Sequence, residues 1–208
     1  MSARWTTREI DTSAGRARVH RSRRRNGSAG PWLVLGHGAG GGIGAADLQA
    51  VSASVAAAGL GLVLVEQPWR VANRRIAPRP AVLDAAWIDV LVALRLPGGF
   101  VVGGRSAGAR VAARTAAQAG AIGVVALAFP LHPPGRPERS RADELRAVTV
   151  PLLVVQDSRD AFGTAEEIRE AAPEAEVLEA AGGDHGLSTT DLRIVGDHVV
   201  GFLHLVGE

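Results

Sequence analysis

The chain has 208 residues and contains no cysteine, no lysine and no tyrosine. Without thiols there is no disulfide framework, no thiolate nucleophile and no cysteine-ligated metal centre. Without lysine there is no Walker A phosphate loop, because that loop needs its lysine on the phosphates. No His/Asp spacing suggests a zinc site either, so neither a metal nor a cofactor is expected. Aromatic residues are few, four Trp and four Phe. No apolar run reaches the roughly 18 residues that span a bilayer. The N-terminal stretch Met1 to Ile10 lacks the apolar core of a secretory signal. These absences set the expectation of a cytoplasmic protein without membrane association.

What is present is ordinary for a globular enzyme-sized domain. The apolar fraction is 47% and the charged fraction 21%, and the length suits one domain over residues 1–208. The sequence pI near 10.7 is misleading beside a formal net charge of only +2. All 23 cationic residues are arginine. With no Lys, Tyr or Cys, almost nothing titrates between His and Arg, and a trivial excess carries the calculated value upward. The balance therefore argues against a nucleic-acid partner. One cluster stands out: Arg16, Arg18, Arg21, Arg23, Arg24 and Arg25 alternate in part with Ala17, Val19 and Ser22. It reads as the exposed side of an antiparallel strand, charged as sheet edges are to resist aggregation.

Strands alternate with helices along the chain. Arg16–Arg23, Trp32–Gly36, Leu60–Glu66, Phe100–Gly103, Ile122–Phe129, Pro151–Gln156 and Glu176–Leu178 are the predicted strands. Helical patterns cover Asp47–Ala58, with Asp47 as its cap, then Ala81–Leu96, Ala107–Ala119, Ala165–Ala172 and Asp191–Val206. Asn26-Gly27 and Gly30-Pro31 are turn chemistry. Continuous apolar strands between helices imply a mostly parallel sheet covered on both faces. Pro130–Val148, with a helical piece near Ala142–Ala147, is the one insertion large enough for a lid, and it is short. The expected cleft is shallow and open.

The most informative segment joins the strand Phe100–Gly103 to the helix after it. There Gly104-Arg105-Ser106-Ala107-Gly108 is a G-x-S-x-G placed between strand and helix, where a nucleophilic serine needs it. The sharp turn forces the serine into a strained backbone, and the flanking glycines let the helix pack close. Serine needs a base, and the base needs a third group to hold it. Downstream, Pro151–Gln156 runs into Asp157-Ser158-Arg159-Asp160. Asp160 is the preferred acid because it lies out in the loop, and Asp157 is the alternative. His185, in Gly182-Gly183-Asp184-His185-Gly186, is the candidate base; His20, His198 and His204 lie within regular elements. The loop His37-Gly38-Ala39-Gly40-Gly41-Gly42 supplies an oxyanion amide, from Ala39 or alternatively Gly40, to act with that of Ala107. His37 is read as a buttress of this loop.

The same glycines admit a second reading. Gly36-x-Gly38-x-x-Gly41 follows a strand, and Glu66 ends the next one, as in a nicotinamide-dependent oxidoreductase with a Rossmann-type loop. Against it, the loop runs on through Gly42 and Gly44 before helical pattern begins, and Ser106, Asp160 and His185 are left unexplained.

With these parts assembled, the chain resembles the α/β-hydrolase superfamily over nearly its whole length. Within it, the chain is similar to the small cap-less branch related to dienelactone hydrolases, which also includes an uncharacterised testis-expressed protein and a chromatin-complex subunit. The likeness is carried by Gly36-His37-Gly38-Ala39-Gly40, Gly103-Gly104-Arg105-Ser106-Ala107-Gly108, Leu131-His132-Pro133-Pro134-Gly135, Gln156-Asp157-Ser158-Arg159-Asp160 and Gly183-Asp184-His185. It implies an α/β-hydrolase fold with a minimal cap, and Ser106, Asp160 and His185 as nucleophile, acid and base. Asp157 stands where a glycine is usual, which leaves two carboxylates to choose between. The branch's namesakes use cysteine, so their particular activity is not implied. The expected function is hydrolysis of a small to medium ester or thioester through an acyl-enzyme. The alternative to catalysis is a binding module that keeps the fold. Substrate identity and oligomeric state stay open, as does an acidic substrate preference suggested by Arg70, Arg74 and Arg75.

Overall fold

The structure is a computed structural model that describes residues 5–25, 30–181, 184–187 and 191–208. The expected Asn26-Gly27 turn, the first four residues and Gly182-Gly183 of the histidine loop lie outside the described residues. Eight strands form one sheet: β1 (Trp5–Thr12), β2 (Gly15–Ser22), β3 (Trp32–Gly36), β4 (Gly61–Glu66), β5 (Phe100–Arg105), β6 (Gly123–Leu127), β7 (Leu152–Asp157) and β8 (Glu176–Ala180). Their order is β1-β2-β4-β3-β5-β6-β7-β8. The first three in that order pair antiparallel, and all pairings from β4 to β8 are parallel. Helices α1 (Ala46–Ala57), α2 (Pro68–Val71), α3 (Pro80–Leu94), α4 (Ala107–Ala119), α5 (Ala142–Arg146), α6 (Ala165–Ala171) and α7 (Leu192–Leu205) make the connections. This is the mostly parallel sheet expected from the strand and helix pattern, and it agrees with the α/β-hydrolase fold that the resemblance implies.

The central strands are apolar at every position because both of their faces are covered. Odd and even residues go to different cores. Val34, Val63, Val65, Val102, Val124 and Val154 pack with Trp87 of α3 and Val111 of α4. Leu33, Leu35, Leu62, Leu64, Val125 and Leu153 pack with Leu48 of α1 and Phe202 of α7. Parallel strands all deliver their carboxyl ends to one rim, and in this architecture the loops on that rim carry the chemistry.

The arginine cluster needs a correction. Arg16–Arg23 does form an antiparallel strand, but β2 is interior, since β1 pairs along its whole length outside it. Register sets Glu9 opposite Arg18 and Asp11 opposite Arg16, with ion pairs at 3.3 Å for both. Arg21 lies over the Trp32 ring, 4.2 Å from its centroid, a cation–π contact. Arg16 and Arg18 are rungs of a cross-strand ladder and not the fence of an edge. The strand β1 itself escapes sequence reading because only Ile10 of its eight residues is buried. No alternation marks it.

The Pro130–Val148 segment does not form a separate layer. Its helix α5 is held to α4 by Glu144, which accepts from Arg110 Nε at 2.9 Å and from Arg114 Nη1 at 3.1 Å. Among the described residues, no helix is long and apolar enough to cross a membrane.

Candidate active site

Ser106 sits on the turn between β5 and α4 with φ 52° and ψ −111°. A non-glycine residue there is strained, and the surrounding packing has to hold it. The elbow is locked from two sides: Ser106 N donates to Leu127 O of β6 at 2.9 Å, and the flanking glycines press on β3. A Cβ on Gly104 or on Gly108 would stand 2.5 Å from the carbonyl oxygen of Gly36. Only hydrogen fits between these backbones, which is the physical content of the two glycines in the motif.

His185 meets this serine. Its Nε2 lies 2.8 Å from Ser106 Oγ, and its Nδ1 lies 2.8 Å from Asp160 Oδ2. A carboxylate accepts, so Nδ1 carries the proton and Nε2 is left to accept from the serine hydroxyl. Phe162 lies against the imidazole with centroids 4.3 Å apart. Asp160 is 2% exposed. Its Oδ1 accepts from Phe162 N at 2.8 Å, and its Oδ2 also accepts from Gln156 Nε2 at 3.0 Å. A buried carboxylate so furnished is fixed in place before any substrate arrives.

The neighbouring acids have other employment. Asp157, at the end of β7, accepts from Arg159 N at 2.8 Å. Asp184 closes its own turn by accepting from Gly186 N at 2.7 Å. Helix α6 is started by Thr164 and Glu167 in a reciprocal capping box, so neither Asp157 nor Asp160 serves as its cap. Asp47 is not the cap of α1 as the sequence suggested. Ala45 holds that position, and the buried Asp47 carboxylate faces Arg105 Nε at 3.2 Å. Burial raises the Asp47 pKa above the ordinary carboxylate value, and the Arg105 cation draws it partly back.

The glycine loop passes over Ser106, so that a Cβ on Gly38 would meet Ser106 Cβ at 3.4 Å. Outside helices and strands, the amides of Ala39, Gly40 and Ala107 meet no backbone acceptor among the described residues. His37 anchors the loop: its Nε2 accepts from Gln67 N at 3.1 Å, and its Nδ1 donates to Gly38 O at 2.8 Å. Both ring nitrogens are thereby used by a neutral imidazole, and burial lowers its pKa. His132 of the Leu131-His132-Pro133-Pro134-Gly135 piece ties the acid loop down. Its amide donates to Phe162 O at 3.0 Å, and its ring reaches Glu167 at 3.2 Å.

A cleft of about 340 Å³ lies between the β1–β2 turn, α2 and α3 and includes Trp69, Leu83 and Arg74 in its wall, but neither Ser106 nor His185. A much smaller crevice of about 10 Å³, lined by His37, Gln67, Trp69, Trp87 and Ala107, lies behind the elbow; it is about the size of one water. The hydrogen-bonded side chains, not the volume, mark the candidate site. Arg70 lies against Gly42 of the glycine loop, 3.5 Å from where a Cβ would stand, and Arg74 and Arg75 are exposed. Sequence reading missed Arg105, whose Nη2 donates to His185 O at 2.8 Å. It occupies the variable position of the motif, where no spacing rule flags it.

Comparison with known proteins follows the geometry. A family model described as an alpha/beta hydrolase domain matches residues 29–194. None of the curated proteins matches the chain. Similar solved structures include a lidless α/β serine hydrolase from Xanthomonas campestris, with 17% identity, TM-score 0.76, and 98% of this chain and 97% of that chain covered. The esterase Est1E from Butyrivibrio proteoclasticus has 15% identity and TM-score 0.78, with 99% of both chains covered. A serine hydrolase homologue from Coxiella burnetii has 15% identity and TM-score 0.78, with 95% of this chain and 97% of that chain covered.

Proposed function

Because the chain belongs to the alpha/beta hydrolase domain family, we propose that it is a serine hydrolase cleaving a small to medium carboxylic ester or thioester. The observation that carries this reading is the unbroken chain Ser106 Oγ, His185, Asp160, with both links at 2.8 Å. Ser106 attacks the acyl carbon while His185 Nε2 takes its proton, and Asp160 stabilises the imidazolium that forms. The amides of Ala107 and Ala39, with Gly40 as the alternative to Ala39, hold the oxyanion. Each such donor lowers the barrier by about 3–4 kcal/mol. His185 returns the proton to the leaving group, and water then resolves the acyl-enzyme by the same route. The Leu131-His132-Pro133-Pro134-Gly135 piece supports the narrower kinship with the cap-less, dienelactone-hydrolase-like branch.

The oxidoreductase reading is less well supported. Glu66 is engaged by Arg18 at 3.4 Å and His20 at 3.3 Å, and α1 begins only at Ala46, five residues past Gly41 of the fingerprint. Fluorophosphonate labelling tests the proposal. The wild type is expected to take one adduct and Ser106→Ala none. A folded wild-type protein that takes no adduct, and likewise shows no turnover across esters of graded chain length, overturns the hydrolase reading. That result points instead to a binding module, or to an oxidoreductase if nicotinamide cofactor binds.

A further inference from the structure

We infer that Arg105, backed by Asp47, is a positioning residue that sets the histidine turn and the glycine loop in register with Ser106. The inference rests on the hydrolase reading for its kinetic consequence, not for its geometry. Arg105 is the last residue of β5, one before the nucleophile. Its three guanidinium nitrogens address three separate segments. Nε donates to Asp47 Oδ2 of α1 at 3.2 Å. Nη2 donates to the carbonyl of His185 at 2.8 Å. Nη1 lies against Gly38, 3.0 Å from where a Cβ would stand. One planar group thus touches the base-bearing turn and the oxyanion loop from the strand that delivers the serine.

The need for such a device follows from how the histidine turn is held. Leu187 is fully buried, Leu187 N donates to Asp184 O at 3.0 Å, and the imidazole rests on Phe162. Arg105 is the side chain that grips the His185 main chain itself. Asp47 keeps the fork from rotating. Its side chain is 1% exposed against 16% for Arg105, and its other oxygen accepts from Leu48 N at 2.8 Å. A guanidinium presents its donors in a fixed plane, whereas an ammonium reaches such partners one at a time. Displacing a reacting group by about 1 Å costs on the order of 10²-fold in rate.

The test uses Arg105→Met/Asp47→Asn, which removes the clamp without stranding a buried charge, and Arg105→Lys. Two readouts are taken: kinetics on p-nitrophenyl butyrate, and the proton resonance of His185 Nδ1, assigned by its loss in His185→Asn. The double variant is expected to lose kcat by about 30- to 100-fold with KM changed less than about twofold. Its Nδ1 resonance should broaden or shift although the fold is intact by circular dichroism. Arg105→Lys is expected to stay at least about fivefold below wild type. A merely structural role predicts a lower Tm with kcat and resonance unchanged, and that outcome overturns the inference. If the double variant does not fold, Arg105→Lys and Asp47→Asn are judged by the same two readouts. If wild type takes no fluorophosphonate, the hydrolase reading fails, and an undisturbed resonance in the clamp variants alone overturns the positioning role.

Discussion

The Ser106 turn and the His185 turn meet at the hydrogen bond between their side chains but are built by opposite means. At the elbow, backbone lies on backbone: β3, β5 and α4 converge so closely that Gly104 and Gly108 leave no room for a methyl group. At the histidine, side chains from distant elements hold a short turn: Asp160 on the imidazole, Arg105 on the main chain, Phe162 across the ring face. The first device is local and tolerates no volume change. The second is assembled over long sequence separation, so its parts can be removed singly while the fold survives.

Substitutions on each side sharpen that contrast. The largest effect belongs to the tethers. Asp160→Asn should lower kcat about 10⁴-fold with the protein still folded, while Asp157→Asn should stay within about tenfold of wild type. Steady-state kinetics on the two purified variants decides between the acids, and an equal loss in Asp157→Asn would remove the assignment. Next comes the elbow. Gly108→Ala drives a Cβ to 2.5 Å from Gly36 O, and backbone cannot yield, so urea unfolding should show a loss of about 3 kcal/mol. Wild-type stability in that variant would mean the close packing is not required.

A smaller effect depends on pH. The folded-state pKa of His37 lies below its unfolded value because the ring is buried. A depressed value means that the fold favours the neutral ring. Its contribution is complete above about pH 6.5, the unfolded value, and is lost as pH falls through the lower folded value. In thermal melts taken from about pH 8 down to about pH 5, the stability advantage of wild type over His37→Gln should shrink with acid. An advantage that grows in acid would show that His37 is protonated in the fold. Asp47 has the opposite sign: its raised pKa makes a contribution present in acid, below the unfolded value, and lost as pH rises through the folded one. The smallest effect is at Ser106. Ser106→Gly relieves the strain of φ 52° and should raise stability by about 0.5 kcal/mol, since relief of about 1 kcal/mol or more is partly offset by the added freedom of glycine in the unfolded chain. A destabilised variant would show that the hydroxyl's bond to His185 outweighs the strain.

Much of the candidate site was legible because each residue announced itself in a local context. Ser106 was marked by glycines at two-residue offsets on a strand-to-helix junction, Asp160 by a strand running into an acidic loop, and His185 by its place before the terminal helix. Their meeting was an inference from topology, since a parallel sheet brings its carboxyl ends to one rim. Other parts left no such mark. The strand β1 presents one buried residue in eight, and it exists as a strand because its acids and backbone complete β2. Asp47 reads as a helix cap because an acid in a first turn usually serves the helix; here burial and the Arg105 cation give it a different task. Arg105 fills a motif position that any residue may occupy.

The amino-acid order alone determined the two-sided parallel sheet, the strained serine and the loops in which an acid and a base must lie, because apolar periodicity and glycine placement act over a few residues. Tertiary structure alone decided that β2 is interior, that Asp160 rather than Asp157 faces the imidazole, and that one guanidinium joins helix α1, the glycine loop and the histidine turn. Those outcomes turn on angstrom-scale approach between residues as far as 80 positions apart, and such distances are set by the packing of whole elements.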